Sequence, residues 1–131
     1  MPETPAFLFT YGTLMRNFSN PFAKKLRLAA SFENEGYFNG RLYRITWYPG
    51  AVFEKNADSK VHGEIYRLQS TEILRELDVY EDVLENEAAS LYVRRIIPVT
   101  AADGSILQCW AYLYNQQIDQ SLLIQSGRFK R

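Results

Sequence analysis

The feature that most narrows the fold lies late in the chain. Two runs of strand-forming residues, "LYVRRIIPVTA" from Leu91 and "SILQCWAYLY" from Ser105, flank Asp103-Gly104. β-Branched and aromatic side chains favour extended backbone, and an Asp-Gly pair supplies the reversal of a hairpin. A lone ribbon of this kind is barely stable in water, so the rest of the chain has to supply strands or helices that cover it.

Such elements can be read upstream. "AFLFTY" (residues 6–11) is a short apolar run closed by Gly12 and reads as a buried first strand, with Gly12 and Thr13 turning the chain. In "NPFAKKLRLAASF", Asn20 can cap a helix with Pro21 at its first position and Phe22, Leu26 and Ala29 or Ala30 on one side. "YFNGRLYRI" and "WYPGAVF" follow as aromatic, β-branched stretches. Asn39-Gly40 is expected to make a turn, and Pro49-Gly50 either a type II turn or a loop that lets backbone approach something closely. "VHGEIYRL" (61–68) reads as a strand. Ser70 can then cap a helix beginning at about Thr71, with Glu72 in its first turn. Strand, helix, strands, helix, strands is an α+β order, and the expected class is one domain, residues 1–131, with a mixed sheet that can roll into a small barrel.

Composition excludes several functions. Lysine plus arginine and aspartate plus glutamate number fifteen each, so no net field draws the chain to nucleic acid or to an anionic membrane. The start, "MPETPAFLFTYG", is neither a signal peptide nor a membrane span, and the basic tail "GRFKR" reads as a solvated end. A single cysteine, Cys109, has no partner for an internal disulfide and sits in strand-like sequence, as a buried thiol in a reduced, cytoplasmic setting would. With one histidine, His62, no Cys/His metal site is expected, and a Cys109–His62 dyad would need two strands to align. The acidic residues 78–87 lack the alternating oxygen ligands and central glycine of a calcium loop. Neither a phosphate loop nor a dinucleotide fingerprint is present, so no cofactor is expected.

One residue breaks the pattern. On the second helix Leu74 and Leu77 share a stripe, and the next places on it are Tyr80 and Glu81. An unpaired carboxylate on an apolar face costs several kcal/mol, so Glu81 needs a partner, a proton or a cavity. Three readings stand: a frayed helix end in water, an ion pair with Arg94 or Arg95, or a functional carboxyl group. The turn "YGTL" adds a second polar element, since successive backbone N–H groups are exposed where a strand turns at glycine.

"FLFTYGTLMRNFSN", "YPGAV", "VHGEIYRL", "LDVYED…LYVRR" and "LIQSG", in this order over nearly the whole chain, resemble the γ-glutamylcyclotransferase-like family, including its bacterial YtfP-like members. The resemblance implies a compact fold around a small mixed β-barrel flanked by helices. It also implies cleavage of a γ-glutamyl amide by internal cyclisation, giving 5-oxoproline and a free amine, on a small-molecule substrate and without cofactor or metal. Glu81 matches the catalytic glutamate. Tyr11, Gly12, Thr13 and Leu14 match the stretch whose backbone holds the γ-glutamyl head, Tyr92 matches a tyrosine of the pocket wall, and Pro49 and Gly50 match a loop near its mouth.

The implied chemistry asks little of a protein. The substrate's own α-amine attacks its γ-carbonyl, so the reacting atoms are already tethered. One carboxyl group can take a proton from the α-amine and return it to the departing amine, best with its pKa raised from about 4.3 toward roughly 6 to 7. Two places depart from the family pattern. Asp82 stands where glycine commonly follows the glutamate, and Arg128 stands near the end where an acidic residue precedes an aromatic one. The alternative reading is a protein that binds a small carboxylate or γ-glutamyl metabolite without turning it over.

Overall fold

The computed structural model describes residues 6–130. Strands β1 (Phe7–Thr10), β2 (Ala30–Arg44), β3 (Pro49–Phe53), β4 (Lys60–Leu68), β5 (Tyr92–Ala101) and β6 (Ile106–Tyr114) and helices α1 (Pro21–Ala29) and α2 (Ile73–Tyr80) follow one another as β1-α1-β2-β3-β4-α2-β5-β6. The sheet runs β3-β2-β4-β1-β6-β5, and β2 pairs again with β5 through Gly36↔Ala101 and Tyr37↔Thr100. That second pairing closes β2, β4, β1, β6 and β5 into a five-stranded barrel, with β3 continuing from the far end of β2. Closure removes the free edges that an open sheet of this size would present. β1 is parallel to β6; all other pairs are antiparallel.

Alternation along each strand divides the apolar residues between two layers. Phe9, Phe38, Val61, Ile65, Ile97, Val99 and Cys109 fill the barrel, while Leu8, Tyr66 and Tyr112 face outward and pack beneath Ala23 and Leu26 of α1 and Leu74 and Leu77 of α2. Burial pushes the Cys109 thiol up to about 12. His62, half-exposed, lies beside Tyr37, and no contact joins it to Cys109 among the described residues.

The expected hairpin forms, with Gly104 at φ 90° and Asp103 accepting from the Ser105 N–H at 3.0 Å. The first helix starts as expected, with the Asn20 side chain accepting from the Ala23 N–H at 2.8 Å. Four expectations need correction. Pro49-Gly50 is neither a turn nor a loop: the pair opens β3, with Pro49 opposite Arg44 and Gly50 opposite Tyr43. Asn39-Gly40 is not a turn: it lies inside β2, where the strand leaves β4 (Asn39↔Lys60) and takes up β3 (Gly40↔Phe53). A Cβ on Gly40 would lie 2.0 Å from the Val52 carbonyl oxygen, so glycine serves this change of partner and not a reversal. The second helix begins two residues later than expected, because Thr71 and Glu72 form a tight turn first, in which Ser70 Oγ accepts from the Glu72 N–H at 3.2 Å. Nor is the tail a solvated end. Phe129 is 5% exposed and stacks on Phe18 with ring centroids 5.9 Å apart, while the Arg44 guanidinium covers its ring and donates to the Lys130 carbonyl at 2.8 Å. Among the described residues no helix is long and apolar enough to cross a membrane.

Candidate active site

The site is built where β1 ends. Tyr11 is buried with its hydroxyl donating to the Tyr112 carbonyl and accepting from the Ala51 N–H at 3.2 Å, which ties β1 to β6 and β3. Gly12 comes next because a Cβ there would meet the Pro49 ring at 2.8 Å. Asn20 fixes the turn from behind: while its oxygen caps α1, its Nδ2 donates to the Thr13 carbonyl at 2.7 Å. The backbone N–H groups of Gly12, Thr13 and Leu14 donate to no protein carbonyl among the described residues. They form a short row of free donors.

The end of α2 faces this turn. Tyr80 Oη and Thr13 Oγ1 are 2.7 Å apart, so the two elements are joined one residue before Glu81. Leu74 and Leu77 are buried as the stripe predicts, and Glu81 caps the helix with its N–H on the Leu77 carbonyl at 2.9 Å. Beyond it the chain closes in a Schellman motif. The Val83 N–H returns to the Asp78 carbonyl at 2.9 Å, the Asp82 N–H to the Val79 carbonyl at 3.2 Å, and Asp82 takes φ 53°. This is a left-handed position, for which glycine is the default and aspartate one of the better-tolerated substitutes. The departure at Asp82 therefore keeps the backbone turn and adds a charge.

Ion pairing of Glu81 with either arginine is excluded by the partners those arginines have. Arg94 makes a two-pronged pair with Asp78, at 2.8 and 3.1 Å, and Asp78 also accepts from the Tyr112 hydroxyl at 2.7 Å. Arg95 pairs with Glu87 on the surface. The helix end is not frayed either, since the capping bonds hold it. Among the described residues no hydrogen bond or ion pair reaches the Glu81 carboxyl group. Desolvation, followed by the nearby Asp82 charge, raises its pKa from the ordinary carboxylate range to about 8. That is above the 6 to 7 expected from an apolar helix face, and the second carboxylate supplies a physical reason.

A cavity of about 160 Å³ lies between these elements, lined by Tyr11, Gly12, Thr13, Leu14, Pro49, Glu81 and Tyr92 together with Phe9, Thr10, Trp47, Tyr48, Tyr80, Asp82, Leu91 and Tyr112. Gly50 is not in the lining. It sits one residue behind the wall, where a Cβ would come within 2.7 Å of the Tyr114 side chain, so its smallness serves packing of β3 on β6. Tyr92 braces the wall, its hydroxyl donating to the Pro49 carbonyl. Sequence reasoning missed Trp47 and Tyr48, which immediately precede Pro49 and whose aromatic character was the available signal. It also missed Tyr112, which reads as ordinary strand packing.

A family model described as "Gamma-glutamyl cyclotransferase, AIG2-like" matches residues 8–131. The chain is 30% identical to the gamma-glutamylcyclotransferase family protein YtfP of Escherichia coli (strain K12), over 92% of each chain. The solution structure of Escherichia coli ytfP superposes with a TM-score of 0.65 at 29% identity, covering 94% of this chain and 95% of that one. The crystal structure of an AIG2-like protein from Mus musculus superposes with a TM-score of 0.77 at 24% identity, covering 98% and 90%, and shares the fold.

Proposed function

The chain belongs to the gamma-glutamyl cyclotransferase, AIG2-like family, and from that premise we propose that its cavity converts a γ-glutamyl amide into 5-oxoproline and a free amine. The observation that carries this reading is the Glu81 carboxyl group, free of protein donors and in the same cavity as the free N–H groups of residues 12–14.

In the proposed reaction the backbone donors hold the γ-glutamyl head bent, with its γ-carbonyl oxygen toward the N–H row. An oxyanion there gains about 3 kcal/mol per well-placed donor. The arriving α-ammonium supplies the opposite charge that Glu81 lacks, which favours the carboxylate and lets it accept a proton from that nitrogen. The α-nitrogen bonds to the γ-carbon, the bond from that carbon to the leaving amine breaks, and Glu81 returns the proton to the departing nitrogen; the second proton that the α-nitrogen sheds in becoming the lactam N–H passes to the same amine, which leaves as an ammonium. Both reacting groups belong to one molecule, so the chemistry requires no covalent enzyme intermediate, redox partner or nucleotide. Thr13 and Tyr80 hold the two halves of the site at a fixed distance. A cytoplasmic setting is part of the proposal, supported by the single buried thiol.

The test is 5-oxoproline release from γ-glutamyl amides by the parent protein and by Glu81→Gln. Release by the parent that vanishes in a folded variant supports the proposal. No release, together with saturable binding of 5-oxoproline or γ-glutamyl ligands, supports the second reading, a non-catalytic binder. The observation favouring that reading is Asp82, whose charge helps keep Glu81 protonated at neutral pH.

A further inference from the structure

Resting on the cyclotransferase reading, we infer that Tyr112 is a positioning residue, a single side chain that fixes the Glu81 carboxyl group relative to the N–H row of residues 12–14. Its two ends hold the two halves of the site. At the backbone end the Tyr112 carbonyl accepts from the hydroxyl of Tyr11, the residue just before that row. At the side-chain end the hydroxyl donates to Asp78 Oδ1 at 2.7 Å and lies 3.3 Å from the Leu74 carbonyl, so it grips the inner face of α2. Tyr112 itself is buried and lines the cavity between the two.

Asp78 passes this hold on to Glu81. It stands three residues earlier, on the same face of the helix, and its carbonyl accepts from the Val83 N–H at 2.9 Å to close the turn that carries Glu81 and Asp82. Its carboxylate is also held by Arg94, through Nε at 2.8 Å and Nη2 at 3.1 Å. Arg94 and Tyr112 are directly opposite each other in the β5–β6 ladder, so both point to the face that α2 covers. Two neighbouring strands thus seize one carboxylate with charge-assisted bonds, which leave the last turn of α2 little freedom to rotate or slide. The other link between the halves, Thr13 to Tyr80, joins two neutral hydroxyls and is the weaker of the two.

The Tyr112 hydroxyl keeps its proton. Burial, then the hydrogen bond to Asp78 and its charge, push its pKa far above the ordinary tyrosine range. It is no acid or base for this reaction, and its effect passes through geometry. A carboxyl group displaced by about 1 Å from the nitrogen it serves can cost about a hundred-fold in rate.

The experiment measures kcat and KM for 5-oxoproline release in Tyr112→Phe and, beside it, in Tyr43→Phe. Phenylalanine at 112 keeps the ring and the carbonyl that holds Tyr11, and removes only the grip on α2. Tyr43 is likewise buried, and its hydroxyl bonds to Gln120 Oε1 at 3.0 Å outside the cavity lining. The second variant therefore reports what loss of a tyrosine hydroxyl does through the fold alone. Tyr112→Phe should lower kcat by about ten-fold or more with KM within about three-fold of the parent, because the N–H row that holds the head is untouched. Tyr43→Phe should leave both near the parent values. Both are read on folded protein, well below the melting temperature. A fall in kcat no larger than that in Tyr43→Phe overturns the inference and leaves the cyclotransferase reading standing. So does a loss that falls in KM instead of kcat. If the parent releases no 5-oxoproline, both fall.

Discussion

Two carboxyl groups are drawn back from solvent in this molecule, Glu64 buried and Glu81 half-buried, and they are held in opposite ways. Glu64, on β4, is 8% exposed and accepts from the Arg16 backbone N–H at 2.8 Å, from Arg16 Nε at 3.0 Å and from the Tyr66 hydroxyl at 3.0 Å. Glu81 lies at the end of α2 with no hydrogen-bond donor from the described residues, beside a second carboxylate. Glu64 has its oxygens satisfied by the fold, so its charge is part of the structure. Glu81 has no such donors among the described residues, which is the condition its proposed role requires. Burial alone does not distinguish a working carboxyl from a supporting one; the inventory of donors does.

The sharpest way to break this comparison is to neutralise each group in turn. Glu81→Gln should lower turnover by about a hundred- to ten-thousand-fold, the range spanned by loss of a general acid–base group, while the circular dichroism spectrum stays that of the parent. Glu64→Gln should do the reverse. Replacing the acceptor of three bonds is expected to cost about 1–3 kcal/mol, seen as a melting temperature lower by several degrees, with kcat within a few-fold of the parent. Should Glu64→Gln abolish turnover in a folded protein, the division between supporting and working carboxyls would be wrong.

The difference between the two groups was half legible in the sequence. Glu81 announced itself because it occupies a place on the Leu74–Leu77 stripe, and helical periodicity is a local property. Glu64 did not, because in "VHGEIYRL" it is one polar residue among several in an ordinary strand and its partner Arg16 lies far away in sequence. The same limit governs the fold. The hairpin of β5 and β6, the Asn20 cap and the buried first strand are set by neighbouring residues and could be read directly. Closure of the barrel depends on Gly36 meeting Ala101, and the docking of Phe129 depends on Phe18 and Arg44; neither has a local signal. Asn39-Gly40 misled because its local chemistry is that of a turn, whereas the pairing of β2 with both β4 and β3 keeps the strand extended. For the cavity, the Tyr11–Leu14 turn carried a glycine signal, but Trp47 and Tyr48 reach the mouth only through the course of the chain between β2 and β3.

A smaller effect sharpens the contrast through pH. The Glu81 carboxyl has a folded-state pKa of about 8 against 4.5 in the unfolded chain, so folding favours its protonated form. Its contribution to stability is fully present below about pH 4.5 and is lost as pH rises through about 8. Glutamine does not titrate, so the melting temperature of Glu81→Gln minus that of the parent should grow by several degrees between these limits. Other groups contribute to both proteins and cancel in the difference. A flat difference would mean that Glu81 is not desolvated.

The smallest effect tests what Asp82 adds to the turn it occupies. In Asp82→Gly the φ of 53° becomes unstrained, while glycine's greater freedom in the unfolded chain works against folding. The two contributions oppose each other and each is about 1 kcal/mol or less, so the melting temperature should move by only a few degrees. The charge, by contrast, disappears outright. Because the Asp82 carboxylate is the second cause of the raised Glu81 pKa, the rising limb of kcat/KM against pH should move to lower pH in the variant. Asp82→Asn keeps a side chain tolerated at positive φ and removes the same charge, so it should move the limb in the same direction. A limb that shifts with glycine but not with asparagine would assign the effect to backbone freedom. A limb that shifts equally in both would show that the aspartate raises the working pH of an otherwise ordinary turn.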